Sequence, residues 1–296
     1  MKDLIVAKHY QLSDKLGGGA YGEIWRAVDL ITNKVVAVKI EVVNPLHQQL
    51  YAELKIYTWL EADPGFSAQA LPRAYHYGNE GSKNIMVMDL LGPSLDALFT
   101  KCNKKFSLKT VLMIADQAIS RFEFIHSRGL LHRDIKPDNF VIGREETADK
   151  VYLIDFGLAK KFHRPNGKHV AYRENRPLTG TLRYVSVNTH LGIDQSRRDD
   201  MEALGYLLVY LLNGSVPWQT AKDKDVKIRN QEMIAIKDGS AAVEFYKTLP
   251  AEFGQYISYC RALKYEEQPD YTYIRSLFSG HMQSEGFSYD YQYDWN

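Results

Sequence analysis

Two short segments rich in oxygen-bearing side chains constrain the fold of this chain most strongly. The first is the run HRDIKPDN, which contains Asp134, Lys136 and Asn139, and the second is the run DFG, which begins at Asp155. Carboxylate and carboxamide oxygens are the ligands that a hard cation such as Mg²⁺ prefers. Either run alone can occur by chance, but the two in this order, with a strand-like stretch between them, rarely do. Together they indicate a phosphoryl-transfer centre.

Length, composition and charge agree with a globular protein. The chain has 296 residues, of which 45% are hydrophobic and 25% are charged, so it can bury a large core in one two-lobed unit or in two ordinary domains. Lys and Arg together number 37 and Asp and Glu 36, which gives a formal net charge of +1. The overall charge therefore predicts no nucleic-acid partner and no membrane partner.

Cysteine usage and the N-terminal residues bear on the location of the protein. Cys102 and Cys260 lie far apart and lack the paired spacing of a zinc site or a disulfide framework, which favours a reducing compartment. The N-terminus never builds a long uncharged apolar run, so we expect neither a signal peptide nor membrane insertion. A cytoplasmic location, a nuclear location or both are expected.

Hydrophobic periodicity predicts a β-rich beginning. Alternating residues predict strands at Tyr10 to Leu16, Gly22 to Asp29, Lys34 to Val43, Ala74 to Tyr77 and Ile85 to Leu90. The first three, separated by glycine or polar turns, form a predicted antiparallel meander. A helical pattern runs from about Gln48 to Leu60 and ends before Asp63.

The remainder of the chain is predicted to be mainly helical. Apolar residues at three- and four-residue spacing predict helices at 108–127, 199–213 and 241–262. Short strands are predicted at 139–142 and 151–154, on either side of the loop between the two oxygen-rich runs. The expected fold class is therefore α+β.

A glycine-rich hairpin supplies a second signal for phosphate. Gly17, Gly19 and Gly22 form a G-x-G-x-x-G pattern, which alone is weak evidence. In a dinucleotide-binding fold the pattern would open a helix, but here a strand-like run follows it. Lys39 of the third predicted strand would then reach the phosphates, and Glu53 of the predicted helix would hold its ammonium.

The order of glycine hairpin, strand lysine, helix glutamate, HRD and DFG is similar to that of protein kinases, and further motifs resemble the casein kinase 1 family. Ser186, Val187 and Asn188 stand where most protein kinases have Ala, Pro and Glu. The motifs that carry the resemblance are LLGPSL from Leu90, TGTLRYVSVNTHLGIDQSRR from Thr179, GSVPWQ from Gly214 and the C-terminal GFSYDYQYDWN.

The resemblance implies a two-lobed protein-kinase fold and roles for the polar residues. Asp134 would be the catalytic base, and Lys136 would neutralise charge on the transferred phosphoryl group. Asn139 and Asp155 would bind Mg²⁺. Asp200 resembles a buried aspartate that braces the backbone of the catalytic loop, although it could also be an exposed charge. His126 is expected to be a packed structural histidine.

The resemblance also implies an ATP site. Met88 would be the gatekeeper, backbone groups of Asp89 and Leu91 would bind the adenine edge, and Ser94 or Asp96 would replace an acidic group near the ribose. The residues expected to surround the nucleotide are Leu16, Gly17, Gly19, Gly22, Ile24, Ala37, Lys39, Met88, Asp89, Leu91, Ser94, Val141 and Ile154.

Substrate selection in the family relies on acidic or phosphorylated residues before the target Ser or Thr. Arg183 matches one anion-binding position, and Arg229 a second, with Lys227 as the alternative if the register slips. Asp225 stands in a segment that is usually more basic. A second candidate anion cluster consists of Arg133, Lys160 and Arg176. Thr179 and Thr181 are candidate phosphorylation sites that activity need not require.

These observations predict a protein serine/threonine kinase that transfers the γ-phosphoryl group of ATP, with Mg²⁺, to acidic or phosphate-primed proteins. The predicted kinase domain spans residues 10–280, with a small β-rich N-lobe at 10–91 and a larger, mainly helical C-lobe at 92–280. Residues 281–296 form a C-terminal extension. The alternative is a catalytically silent pseudokinase scaffold, against which the presence of all the catalytic side chains argues; a small-molecule kinase is less favoured.

Overall fold

A computed structural model of the chain describes residues 3–19, 22–43, 49–164 and 166–296. These residues divide into two compact units. The first ends at Gly92 and also includes Val141–Ala148 and Tyr152–Gly157, and the other residues form the second. The predicted domain limits at 91 and 280 stay predictions.

The first unit is built on an antiparallel sheet. Its elements up to Gly92 are β1 (Ile5–Val6), β2 (Tyr10–Gly19), β3 (Gly22–Asp29), β4 (Val35–Val42), α1 (Gln49–Glu61), β5 (Ala74–Glu80) and β6 (Lys83–Asp89), with a 3-10 turn at Phe66–Ala68. The strand order is β1-β2-β3-β4-β6-β5. One face of the sheet packs a core around Leu12, Trp25, Val38 and Val87.

The predicted meander and the two later strands are confirmed, with end points that differ by a few residues. The helix predicted from Gln48 is α1, and Gln48 itself lies outside the described residues. Lys39 pairs with Ile24 of β3 and with Met86 of β6, so β4 lies inside the sheet. The register of β4 against its two neighbours therefore determines on which face of the sheet the Lys39 side chain lies.

Helices dominate the remainder. The elements that follow are α2 (Leu95–Lys101), α3 (Leu108–Ser127), β7 (Leu130–Leu131), β8 (Phe140–Ile142), β9 (Val151–Leu153), β10 (Lys160–Lys161), α4 (Val187–His190), α5 (Arg197–Asn213), α6 (Val226–Asp238), α7 (Ser240–Lys247), α8 (Ala251–Ala262) and α9 (Tyr271–Ser284). Short 3-10 turns lie at Pro137–Asn139, Glu145–Thr147, Phe156–Leu158 and Pro217–Thr220. Strands β7 and β10 pair with each other, as do β8 and β9.

Helix α3 lies at the centre of the second unit and packs against α5 and α9. Its bounds are those predicted. It begins at Leu108 because Ser107 caps its N-terminus by accepting a hydrogen bond from Thr110 N at 3.3 Å. Helix α5 begins at Arg197, two residues before the predicted start. The reason is a capping interaction in which Ser196 N donates to Asp199 Oδ2 at 2.8 Å.

The single helix predicted at 241–262 is wrong. The structure has α7 and α8 there, separated by a turn that contains Pro250, the residue before α8. Proline has no N–H for the helical ladder and clashes with the preceding turn, so the apolar spacing continues across a break in the backbone. Helix α9 continues past the predicted limit at residue 280.

The last residues of the chain pack against α3. Asp294 accepts hydrogen bonds from Ser107 N at 2.6 Å and Ser107 Oγ at 2.7 Å, and Tyr293 stacks on Trp295 with ring centroids 4.5 Å apart. Within the described ranges, no helix combines the length and apolar character needed to span a bilayer.

Candidate active site

In the first unit, Lys39 and Glu53 form a buried ion pair. Lys39 Nζ lies 2.6 Å from Glu53 Oε2, and Glu53 is only 2% exposed. Burial alone would lower the pKa of the ammonium, but the carboxylates of Glu53 and Asp155 outweigh it and raise the pKa above its ordinary value. The predicted pairing is confirmed, and a contact between Lys39 and phosphate stays a prediction.

Asp155 belongs to the same cluster. Its Oδ1 lies 3.5 Å from Lys39 Nζ, and its side chain is 37% exposed. Its backbone adopts a left-handed conformation, φ +67°, in which its N–H donates to Tyr57 Oη at 3.1 Å. Non-glycine residues rarely adopt this conformation, and functional sites are where such strain concentrates.

Tyr57 is a site residue that the sequence did not reveal. It lies one helical turn after Glu53 on α1, is fully buried, and packs edge-on against Phe156 with ring centroids 5.3 Å apart. Tyr57 and Glu53 therefore fix Asp155 and Lys39 from one helix face. The spacing of four residues after Glu53 was the available signal.

The glycines of the hairpin have different roles. A Cβ on Gly22, where φ is +130°, would lie 2.1 Å from the carbonyl oxygen of Ile40, so the packing of β3 on β4 demands glycine. A Cβ on Gly17 would meet no atom of the described chain within 4 Å. Gly19 pairs with Gly22 at the end of the hairpin, and Ala20 and Tyr21 lie outside the described residues. Open space beside Gly17 suits a ligand that approaches the backbone.

The residues predicted to surround adenine occupy defined places in the first unit. Ala37 is buried and pairs with Met88 of β6. The Asp89 carboxylate accepts a hydrogen bond from Arg73 N at 2.9 Å and also binds Lys34. The Asp89 N–H donates to the carbonyl oxygen of Arg73 at 3.0 Å, so the carbonyl oxygen of Asp89 is the backbone group that could bind an adenine edge. Among the others, Leu16 is exposed, Ile24, Leu91 and Ile154 are half-buried, and Val141 is buried.

Ser94 belongs to the second unit, where its hydroxyl caps a helix. Its Oγ accepts a hydrogen bond from Ala97 N at 3.2 Å at the start of α2. Capping is a structural task that the sequence interpretation of Ser94 did not include. A ribose contact by Ser94 stays a prediction.

In the second unit, the carboxylate of Asp134 gathers three side chains. Lys136 Nζ lies 2.7 Å from Oδ2, and Asn139 Nδ2 lies 3.3 Å from the same oxygen and 2.8 Å from the Asp134 carbonyl oxygen. Thr181 Oγ1 donates to Oδ1 at 2.8 Å. A carboxylate with both oxygens oriented in this way is suited to accept a proton.

Thr181 is the second site residue that the sequence did not assign to this cluster. It was expected only as a candidate phosphorylation site, but its hydroxyl faces the Asp134 carboxylate. A phosphate on Thr181 would place a dianion against that carboxylate, which like-charge repulsion disfavours. The contact joins residues far apart in the chain, so no local motif could reveal it.

Asp200 braces the loop that carries Asp134, as predicted. It is 2% exposed, and it accepts hydrogen bonds from His132 N at 2.8 Å and Arg133 N at 2.9 Å. Arg133 has a left-handed backbone, φ +69°, which these bonds hold in place.

His126 is structural, as predicted, and supports Asp200. Its Nε2 lies 2.9 Å from Asp200 Oδ2, and its Nδ1 lies 2.7 Å from Tyr271 Oη. Burial would raise the pKa of Asp200, but the hydrogen bond from His126 and the backbone donors lower it below its ordinary value. Burial lowers the pKa of His126. The pair is thus an ionised carboxylate beside a neutral imidazole.

The first candidate anion position is partly formed. Arg183 is half-buried, with its guanidinium carbon 4.8 Å from the ring centroid of Tyr210 and its Nη1 3.3 Å from Tyr184 Oη. Arg229 is half-buried on α6, and Lys227 is exposed in the first turn of that helix. Asp225 caps the helix by accepting a hydrogen bond from Lys227 N at 2.7 Å.

The second candidate cluster is only partly available for an anion. Lys160 Nζ is already paired with Asp194 Oδ1 at 2.8 Å. Arg133 donates from Nε to the carbonyl oxygen of Leu158 at 2.7 Å. Burial lowers the pKa of Arg133, and the positive charge of Arg176 lowers it further, against Asp200 and Asp194. Arg133 and Arg176 are therefore the members whose mutual repulsion an anion would relieve.

The oxygen donors in each unit fit Mg²⁺. Asn139 uses its nitrogen to hold Asp134, which leaves its carboxamide oxygen as the atom to offer a cation. Asp155 presents a partly exposed carboxylate. Both are hard oxygen ligands of the kind that Mg²⁺ prefers.

A comparison with known protein families covers the part of the chain that contains these groups. Residues 10–274, well over half of the chain, match the family described as the protein kinase domain. The β-rich first unit and the helical second unit are the α+β arrangement of that fold. The chain therefore belongs to the protein kinase family.

Proposed function

We propose that this protein kinase is a serine/threonine kinase of the casein kinase 1 type, which phosphorylates acidic or phosphate-primed proteins. Family membership implies protein substrates, ATP use and typically Mg²⁺. The observation that carries the proposal is the Asp134 carboxylate, which is oriented by Lys136, Asn139 and Thr181. The motifs from Leu90, Thr179 and Gly214 support the finer assignment.

Asp134 acts as the general base. It accepts the proton of the substrate hydroxyl while that oxygen forms a bond to the γ-phosphorus and the bond from the γ-phosphorus to ADP breaks. Thr181 and Lys136 hold the two carboxylate oxygens, so the base needs little reorganisation. Lys136 also neutralises negative charge on the transferred group.

The nucleotide and metal roles follow from the other side chains. Lys39, held by Glu53, binds phosphate oxygens, and the backbone at Gly17, Gly19 and Gly22 covers the phosphates. Asn139 and Asp155 are the proposed metal ligands. Bound Mg²⁺ supplies charge neutralisation at the phosphates.

The adenine site is proposed from the residues that the family resemblance implies. Ile24, Ala37 and Val141 supply apolar contacts to the adenine ring, and Met88 limits the depth of the adenine pocket. The full proposed lining is Leu16, Ile24, Ala37, Met88, Asp89, Leu91, Ser94, Val141 and Ile154.

Arg183 is the strongest candidate for recognition of a phosphate or carboxylate upstream of the acceptor. Its guanidinium is oriented by Tyr210 and Tyr184, which reduces the rotamer entropy that binding would cost. Arg229 and Lys227 on α6 are proposed as the second cation of this site. Arg133, Arg176 and Lys160 are proposed for a separate anion, with Arg133 and Arg176 contributing most.

The function is tested with peptides that differ in one feature at a time. We would measure Mg-ATP-dependent phosphorylation of peptides with Ser, Thr or Tyr as acceptor. Each would be made with and without a phosphoserine three residues before the acceptor. The proposal expects transfer to Ser and Thr only. The kcat/KM of the primed peptides should be higher by about tenfold or more, because the phosphate forms a charge-assisted hydrogen bond that the unprimed peptides lack.

The priming site is tested with Arg183→Ala combined with Arg229→Ala. This variant should lose the preference for the primed peptide and keep turnover of the unprimed one. Lys247→Ala, on the exposed face of α7, is the matched control and should change neither. Transfer without a priming preference would overturn the substrate rule, and ATP binding without transfer to any peptide would favour the scaffold.

A further inference from the structure

Lys237, in the last turn of α6, is the most unusual charged residue of the second unit. Its side chain is fully buried, at 0% exposure, although it is a lysine on a helix whose other side chains are mostly exposed. Lysine is almost never fully buried without partners. No step proposed above uses it.

The ammonium of Lys237 holds the backbone of another segment. Its Nζ donates to the carbonyl oxygen of Val185 at 2.6 Å and to that of Leu182 at 3.2 Å. Between these two residues, the carbonyl oxygen of Arg183 accepts a hydrogen bond from Trp218 Nε1 at 2.7 Å. Three of the four carbonyl groups from Leu182 to Val185 are therefore bound by buried side chains.

Burial lowers the pKa of Lys237 from 10.5 to about 7, and a histidine nitrogen and two aromatic rings surround its ammonium. Lys237 Nζ lies 3.0 Å from His190 Nε2, 4.7 Å from the ring centroid of Tyr206 and 5.5 Å from that of Trp218. His190 binds Asn230 Oδ1 through its Nδ1, so the nitrogen that faces Lys237 is the one able to accept. Burial and the charge of Lys237 lower the pKa of His190 to about 4, which keeps the imidazole neutral.

The segment that Lys237 holds carries two groups of the proposed substrate site. Thr181, directly before Leu182, donates to the Asp134 carboxylate. Arg183 is the proposed cation for a phosphate on the substrate. The amides of Tyr184 and Val185 donate back to the Thr181 carbonyl oxygen at 2.8 and 3.1 Å, which closes a compact turn. A shift of this turn would move both groups.

We propose that Lys237 is a positioning residue for the protein substrate. Its hydrogen bonds to backbone carbonyl groups hold the 182–185 turn, so that Thr181 and Arg183 stay in place for peptide recognition. The inference rests on the proposed function for its effect on turnover. The contact that it invokes, between Lys237 and the turn, stands without that function. Most residues proposed to hold ATP lie in the first unit. Substitution of Lys237 should therefore change the KM of the peptide and leave that of ATP nearly unchanged.

The test compares Lys237→Met, which keeps the length and loses the donors, with Lys237→Arg, which keeps a cationic donor. Lys247→Met on the exposed face of α7 is the matched control. For Lys237→Met we expect the peptide KM to rise by about tenfold and kcat to fall by about threefold or more, because Thr181 orients the Asp134 carboxylate, while the ATP KM changes by less than about twofold. Lys237→Arg should recover part of the loss, and the control should match the wild type.

Hydrogen exchange supplies a readout that does not depend on activity. The amides of Tyr184 and Val185 should exchange at least about tenfold faster in Lys237→Met than in the wild type, while amides of α3 keep their rates. If the wild type transfers no phosphate to any peptide, the proposed function fails, and the exchange rates still decide whether Lys237 holds the turn.

Two results would overturn the proposal. One is unchanged exchange at Tyr184 and Val185 in a folded Lys237→Met protein. The other is an equal rise of the KM values for ATP and peptide, which would mark a merely structural lysine. If Lys237→Met does not fold, Trp218→Phe replaces it, because this variant removes the donor to Arg183 from the same turn. It should show the same split between peptide and ATP, and the absence of that split would count against the proposal.

Discussion

Asp200 receives hydrogen bonds from the backbone of His132 and Arg133 and from the imidazole of His126. These bonds stabilise the carboxylate despite its complete burial, and they compensate for the left-handed conformation of Arg133. The loop that presents Asp134 is therefore held by a residue that does not itself contact the proposed substrate.

Replacing Asp200 tests this support. In Asp200→Asn one oxygen becomes an amide group that faces an N–H donor, so we expect the free energy of unfolding to fall by about 2–4 kcal/mol, with a lower kcat. Urea denaturation measures the first and peptide turnover the second. Asp290→Asn, which removes a surface ion pair with Lys109, should cost far less, because water screens an exposed pair. Equal losses in the two variants would contradict the role of Asp200.

His190 should make stability depend on pH. Its pKa is lowered from 6.5 to about 4 by burial and by the charge of Lys237, so the folded protein favours the neutral imidazole. The unfolded chain then binds more protons between these values. The stability contributed by a neutral His190 should be complete above about pH 6.5 and fall as the pH drops towards about 4, by on the order of 3 kcal/mol in total.

The measurement is urea denaturation of the wild type and of His190→Gln at several pH values across this window. Other groups titrate in both proteins, so the difference between the two slopes isolates His190. The variant should lose less stability than the wild type between about pH 6.5 and about pH 4.5. Parallel curves would show that His190 does not resist protonation in the fold.

Local motifs revealed Lys39, Glu53, Asp134, Asn139 and Asp155, because their chemistry depends on residue type and spacing. They did not reveal the contacts of Tyr57 with Asp155 or of Thr181 with Asp134. Those contacts join segments that are distant in the sequence. A buried Lys237 was equally invisible, since a lysine on a helix is normally solvated.

At the level of elements, two glycines of the hairpin are needed for different reasons. Gly22 is required by strand packing, and Gly17 is proposed to leave room for a ligand. Gly22→Ala would place a Cβ 2.1 Å from the Ile40 carbonyl oxygen at a φ of +130°, so β3 and β4 could not keep their spacing. We expect the free energy of unfolding to fall by about 2 kcal/mol or more, because both the clash and the conformation are unfavourable. Thermal denaturation measures the loss.

Gly17→Ala is the matched comparison. The new Cβ meets no atom of the described chain within 4 Å, so stability should stay within about 0.5 kcal/mol of the wild type. Its ATP KM should rise if the backbone at Gly17 approaches phosphate. A loss of stability equal to that of Gly22→Ala would show that the space beside Gly17 is not open.

Element boundaries followed from caps and turns more than from periodicity. Helix α3 was predicted with its observed bounds because a strong apolar pattern follows the Ser107 cap. The pattern at 241–262 was equally periodic, but Pro250 interrupts the backbone there. Helix α6 escaped prediction because only Met233 and Lys237 of its side chains are buried, and this is too few for an apolar stripe.

At the scale of the whole molecule, each unit contains one cluster of the side chains proposed to be catalytic. Lys39, Glu53 and Asp155 meet in the first, and Asp134, Lys136 and Asn139 in the second. The sequence predicted these six residues and the α+β class, but it did not place Tyr57 or Thr181 beside them. The membership of Val141–Ala148 and Tyr152–Gly157 in the first unit was not predictable, because it depends on packing between segments distant in the chain.

The most direct test of the central claim is the turnover of Asp134→Asn with Mg-ATP and a primed Ser peptide, together with its affinity for ATP. The carboxamide keeps the shape but cannot act as the base, so kcat should fall by at least about 10²-fold. ATP affinity should stay within about threefold of the wild type, since Asp134 is not a proposed nucleotide ligand. Turnover close to that of the wild type would contradict the assignment of Asp134 as the base.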